Sequence, residues 1–203
     1  MKNFLLPALL LVFISLNTTH LSAQNLPSDN DKTFEVMVSP FSSSPIAFDQ
    51  LRFRAFQSSD MAYRLRGNLG YDSSRAGENQ RSSQFQIEVA PGVEWHAFQY
   101  NRISMYYGGE LRLMYATTRN QVNEDRTDRN TNSSGFFGIG VNALVGLDVH
   151  FLQRLYTGME VGYGLQMVNF LDAEVAGETV SNDRRDISLG TFYYPRLRLG
   201  VRF

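Results

Sequence analysis

An all-β fold, eight antiparallel strands closed up-and-down into a transmembrane β-barrel behind an N-terminal signal peptide, is what this sequence predicts. Three observations predict it. Apolar and polar residues alternate with period two along most of the chain. Short and long connections alternate between those stretches. The first residues have the layout of an export signal.

The export signal bounds the rest. Lys2 supplies a short positive region, Phe4 to Leu16 are apolar apart from Pro7 and Ser15, and the small-residue exit "LSAQ" ends at Ala23. This is too short and wrongly flanked for a membrane span, and cleavage is expected between Ala23 and Gln24. The domains are therefore a signal peptide at 1–23 and a barrel domain at 24–203. The sequence has no cysteine, which rules out a disulfide framework and lipidation at the cut. A net charge of −1 gives no argument for nucleic-acid binding.

The strands follow in order. In Thr33 to Phe41, Phe34, Val36 and Val38 alternate with Glu35, Met37 and Ser39. Leu51 to Phe56 alternates around Arg52 and Arg54, while Ile46 and Phe48 fall out of phase across Asp49 and Gln50. Either a bulge or a late strand start accounts for that slip. From Met61 to Tyr71, Met61, Tyr63, Leu65, Leu69 and Tyr71 oppose Arg64, Arg66 and Asn68. Between Phe85 and Ala97 the odd positions are apolar, and the even positions include Glu88, Glu94 and His96. Met105 to Tyr115 sets Met105, Tyr107, Leu111, Leu113 and Tyr115 against Ser104, Glu110 and Arg112.

The stretch "FFGIGVNALVGLDVHF" has the composition of a buried helix. Every odd residue from Phe137 to Phe151 is nevertheless apolar, and Asn142, Asp148 and His150 share the even phase. A helix would scatter those polar groups around its circumference, so a strand is predicted. Leu155 to Met167 repeats the pattern with Glu160 on the even phase, and the closing strand, Ile187 to Phe203, carries Arg196, Arg198 and Arg202 there.

Connections near 57–60, 99–102 and 152–154 are tight, whereas 72–83, 118–134 and 168–186 are long and polar. Only the first outer connection, around "SSSP", is short. Short turns on one side and long loops on the other are the layout of an outer-membrane barrel. If the apolar phase meets lipid, a lipid-facing Arg costs about 2–4 kcal/mol near the bilayer centre. A one-residue slip of the last strand would expose three of them at once.

The polar phase then points inward, into a lumen that eight strands make just wide enough for side chains. The expected lumen charge network is Arg52, Arg54, Arg64, Arg66, Arg112, Arg196, Arg198 and Arg202 facing Glu35, Glu88, Glu94, Glu110, Asp148 and Glu160. Near-balanced charge in so narrow a space predicts a plug of ion pairs. Gly138, Gly140, Gly146, Gly162 and Gly164 are expected to make room for the long side chains. Aromatic belts are expected from Phe53, Tyr63, Trp95 and Phe203 on the periplasmic side and from Tyr71, Phe85 and Tyr115 on the outer side.

The final "YYPRLRLGVRF" is similar to the C-terminal strand of the small outer-membrane β-barrel family of Gram-negative bacteria, the OmpA-like and OmpX-like group within the porin-type barrels. The resemblance spans residues 24–203 and implies a cell outer membrane location. It also implies that Phe203 is the signal read by the barrel-assembly machinery, and that outer-membrane lipid and lipopolysaccharide are the surroundings.

Motifs for chemistry are weak. Gly138, Gly140 and Ala143 match G-x-G-x-x-A, but no helix follows. Asp128, Asn130 and Asn132 resemble the opening of a calcium loop without its turn glycine or closing glutamate. His96 and His150 fall beside the short turns, where structural hydrogen bonding is the expected role. No catalytic, metal or cofactor residue is assigned, and no surface partner is named. The reading is a non-enzymatic integral barrel, not an open pore, with a structural or surface-interaction role through its long extracellular loops. The alternatives are an outer-membrane lipid-modifying enzyme and an accessory component of a secretion or assembly machine.

Overall fold

The computed structural model describes residues 26–38, 48–76, 80–125, 128–175, 178–191 and 196–203. Backbone alone is described at 38, 48–49, 76, 122–125, 128–131, 174–175, 191 and 196. The export signal and the "SSSP" connection lie outside the described residues.

The strands are β1 (Lys32–Val38), β2 (Phe48–Ser58), β3 (Met61–Ala76), β4 (Gln80–Tyr100), β5 (Ile103–Asp125), β6 (Asp128–His150), β7 (Leu155–Phe170), β8 (Ala173–Val175), β9 (Glu178–Val180), β10 (Arg185–Thr191) and β11 (Arg196–Arg202). From β1 to β7 each strand pairs antiparallel with its predecessor. The eighth wall consists of β10 and β11, both laid against β7. The β11 strand then pairs with β1, matching Phe34 to Val201 and Val36 to Leu199. The ring is thereby closed, and the expected eight-walled antiparallel barrel is what forms. Closure follows from the solvent, because hydrocarbon satisfies no open strand edge.

The apolar phase points out. Leu65 is 48% exposed, Val141 55% and Leu199 53%, and comparable residues ring the whole circumference. So continuous an apolar surface is untenable in water and natural in lipid. Near the short turns the belt includes Trp95 and Tyr107, stacked at 5.8 Å, together with Phe53, Tyr63 and Phe203. At the opposite end Tyr71, Phe85 and Tyr115 lie on the same phase.

Three bulges within the apolar walls adjust that phase, and a fourth, at Glu124, lies near the far end of β5. Met37 pairs with Gln50 but Val38 with Phe48, so Asp49 is the extra residue and the slip around it is a bulge. Gln57 is bulged before the turn at Ser59 and Asp60. A third bulge at Ala97 separates His96 from Phe98. It turns Phe98 and Tyr100 outward, adding two aromatics that simple alternation from Phe85 places out of phase. The β4–β5 turn is consequently only Asn101 and Arg102, with Asn101 at a φ of 52°, which asparagine tolerates well.

The long connections differ from expectation. Residues 72–76 and 80–83 continue the β3–β4 ladder, pairing Asp72 with Gln84 through to Ala76 with Gln80. Residues 118–125 and 128–134 continue β5 and β6 until Asp125 meets Asp128. Each of these strands has 23 residues, whereas about 9–11 cross the hydrocarbon. The excess forms a sheet of β3 to β6 beyond the membrane, extended by β8 and β9 through the pairing of Ser133 with Glu174. Polar composition suggested loops, but no Pro or Gly interrupts 118–134, so nothing ends the ladder.

Replacing Val141 by Arg puts a charge in the middle of the outward belt. The expected result is a loss of about 2–4 kcal/mol in urea unfolding from phospholipid vesicles.

Candidate functional site

The inward phase brings every wall of the barrel into one buried ionic cluster. β1 contributes Glu35, β2 Arg52 and Arg54, β3 Arg64 and Arg66, and β4 Glu88 and Glu94. β5 adds Glu110 and Arg112, β6 Asp148, β7 Glu160 and β11 Arg198. Among the described residues this is six guanidinium groups against six carboxylates, none more than 8% exposed.

The contacts are reciprocal. Glu160 accepts from Arg52 Nη1 at 2.6 Å, from Arg64 Nη1 and Nη2 at 2.8 and 2.9 Å, and from the Tyr106 hydroxyl at 2.6 Å. Glu35 pairs with Arg52, with Arg54 at 2.7 Å and with Arg198 at 3.2 Å, and accepts from the Tyr156 hydroxyl at 2.6 Å. Glu94 lies between Arg54 at 3.0 Å and Arg64 at 3.1 Å. Asp148 accepts from Arg54 at 2.8 Å and Arg198 at 2.9 Å. Toward the long-loop end, Arg66 bridges Glu88 and Glu110, and Arg112 links Glu88 at 2.7 Å to Gln166 at 3.1 Å.

Two tyrosines on the inward phase complete the packing. Tyr106 covers its cross-strand partner Gly146, and Tyr156 covers Gly200. A Cβ at either glycine would run into the ring, so each glycine is the floor on which a tyrosine lies. Arg54 sits 5.1 Å from the Tyr156 ring centroid and Arg198 sits 5.4 Å from that of Tyr106. The aromatic faces thus support cations that the carboxylates hold by their edges. Gly158 makes room for Asp148 and Arg198 in the same way, while Gly138, Gly140 and Gly164 adjoin Met114, Gln166 and Asn142 instead of arginines.

One expected network member stands apart, and a second is described in its backbone alone. Arg202 belongs to the short-turn mouth. Its guanidinium donates to the carbonyls of Leu26 and Gln153 and pairs with Asp31 at 3.4 Å, tying the entry segment and the β6–β7 turn to the barrel rim. The backbone of Arg196 pairs with Glu160, and its side chain lies outside the described residues. Phe203 is 65% exposed beside the β11–β1 seam, where its backbone exchanges hydrogen bonds with Lys32. The side chains of Asp128 and Asn130 also lie outside the described residues.

Both described histidines lie at the short-turn end. His96 Nδ1 is 2.7 Å from Ser104 Oγ, with its ring between Phe56 and Tyr106. The His150 ring lies tilted against Tyr156, with the centroids 4.9 Å apart. Sequence reasoning missed Tyr106 and Tyr156, and placed Asn142 and Gln166 on the polar phase without assigning them to the network. Their even-numbered positions were the available signal, since each falls on the charged phase.

A closed ring with lipid outside and ion pairs inside defines an integral β-barrel protein of the outer membrane. A sequence model of the OmpA-OmpF-like porin family matches residues 73–203, well over half of the chain, and the protein belongs to that family. Solved structures similar to it include Ail, the attachment invasion locus protein of Yersinia pestis, at 12% identity, covering 86% of this chain and 99% of that one with a TM-score of 0.48. Another is the N-terminal β-barrel domain of Pseudomonas aeruginosa OprF, at 11% identity, covering 87% of this chain and 100% of that one with a TM-score of 0.34. A major outer membrane protein from Thermus thermophilus shares 10% identity, covering 85% of this chain and 98% of that one with a TM-score of 0.44. No curated protein matches the sequence.

Glu160 joins β7 to both β2 and β3, and Glu160→Leu leaves Arg52 and Arg64 without one of their counter-ions. Stranding a buried charge costs about 3–5 kcal/mol. The variant should unfold at correspondingly lower urea concentration in detergent micelles, read as loss of heat-modifiable gel migration.

Proposed function

We propose that this protein is a non-enzymatic, non-conducting scaffold whose role is performed by the sheet it raises above the membrane. The observation that carries this reading is the interior. Among the described residues, six guanidinium groups and six carboxylates neutralise one another across the lumen. An ion crossing would have to displace side chains already held by several partners, at a desolvation cost of roughly several kcal/mol. The chain's longest strands, by contrast, extend far beyond what a bilayer needs, and exposed elements on a rigid scaffold commonly carry binding.

A lipid-modifying enzyme would place a base and a nucleophile at the outer rim. The described histidines instead lie at the other end, buried against Ser104 and Tyr156. Every buried carboxylate is bonded to at least one arginine, which suits structure better than proton transfer. Phe203, exposed beside the seam, is in this reading the mark used by the barrel-assembly machinery during insertion.

Planar-bilayer recording of the refolded protein should show no stable conductance, and a persistent open channel would refute the plug. Deleting residues 119–133 removes the top of the β5–β6 hairpin and leaves the ionic cluster intact. The deleted protein should keep its heat-modifiable migration while cells lose adhesion or envelope integrity. Unchanged cells would take that hairpin out of the function.

A further inference from the structure

The outward phase of the wall continues past the membrane. From Leu69 and Ile87 it runs through Tyr71 and Phe85, then Ser73 and Ser83, to Arg75 and Arg81, with no register shift on the way. Arg75 and Arg81 are direct cross-strand partners. Arg119 stands diagonally beside them, opposite Ser83 on β4 and Ser133 on β6. All three arginines are exposed.

Like charges directly opposite on a sheet repel, and sheets ordinarily set opposite charges there. Among the described residues none of the three arginines takes part in an ion pair. Their described neighbours on this phase, Ser73, Ser83, Gln121 and Ser133, carry no carboxylate, and Asp72 belongs to the opposite phase. Just below the arginine pair, Arg119 shares a groove of about 410 Å³ with Tyr71, Ser83, Phe85, Thr117 and Ser133. That groove lies where the apolar belt gives way to polar wall.

We infer that Arg75, Arg81 and Arg119 form a binding site for the phosphorylated sugar headgroup of an outer-leaflet glycolipid. Guanidinium groups match phosphate oxygens in paired hydrogen bonds. The serine hydroxyls between them suit sugar and phosphate oxygens alike. Tyr71 and Phe85 offer aromatic surface to the first segments of the acyl chains, and the belt below accepts the remainder. The choice of phase decides against an acidic protein. These arginines stand on the lipid-facing side, directly over the hydrocarbon belt, where headgroups already crowd the wall. A lipid phosphate reaches them without leaving its leaflet. This inference rests on the barrel's seating in the membrane and is independent of whether the lumen conducts.

The test uses the full-length barrel refolded in neutral detergent micelles and examined by native mass spectrometry with lipid A as the probe. Wild type should retain bis-phosphorylated lipid A at least tenfold better than the dephosphorylated form. The triple variant Arg75→Gln, Arg81→Gln, Arg119→Gln should lose that preference, and the corresponding triple Lys variant should keep most of it. Inorganic phosphate at equal concentration should not displace the lipid. Equal retention by the Gln variant, equal retention of dephosphorylated lipid A, or displacement by inorganic phosphate would each overturn the site. Heat-modifiable migration reports folding, and Arg119→Gln alone, expected to weaken retention at least threefold, serves if the triple variant fails to fold.

Discussion

Hydrocarbon offers a strand neither a donor nor an acceptor, and the architecture of this protein follows from that deficit. Each wall must find its hydrogen bonds in two neighbours, so the chain has to return to its beginning. It does so where β11 meets β1, with Leu199 opposite Val36 and Arg198 opposite Met37. The same deficit decides which phase faces out. With side chains alternating at every residue, a strand that shows leucine and valine to lipid must send its remaining residues into the lumen.

Eight walls leave a lumen that only side chains can fill. Arginine suits such a space because it spans several ångströms and presents five donors in a planar fork. Buried guanidinium groups are expensive, and exchanging a buried ion pair for well-packed apolar residues is often neutral or stabilising. The cluster is therefore better understood as a device for register than as a source of stability. A slip of one residue in any wall would carry its charges into hydrocarbon and leave their partners unpaired. Links such as Arg52 to Glu160 and Arg198 to Glu35 make that penalty collective, since they join walls that are remote in sequence. Tyr106 over Gly146 and Tyr156 over Gly200 fill the space that two missing side chains leave.

Above the membrane the constraint relaxes. Both phases meet water, so apolar alternation disappears although the backbone ladder continues. This is why Asp72 to Ala76 and Thr118 to Asp125 look like loop in composition and form strand in fact. The result is a lopsided barrel. Its β3–β6 side rises as a sheet, and Arg75, Arg81 and Arg119 stand on that sheet's outer phase.

Period two, the polarity of each phase and the spacing of the short turns were legible in the chain, because alternation records which side of each residue meets lipid. They placed Arg52, Arg54, Arg64, Arg66, Glu88, Glu94, Glu110, Arg112, Asp148, Glu160 and Arg198 on the inward phase, where these side chains lie. They overreached for Arg202, whose phase is the same but whose height puts it at the mouth. Phase is a local property, carried by each residue and its neighbours. Height and partnership depend on strand tilt and on bulges such as those at Asp49 and Ala97, which add one residue on one strand only. The tertiary structure alone decided that Glu160 should gather Arg52, Arg64 and Tyr106. Those contacts cross the axis of the closed ring, and no separation along the sequence encodes a distance measured through its centre.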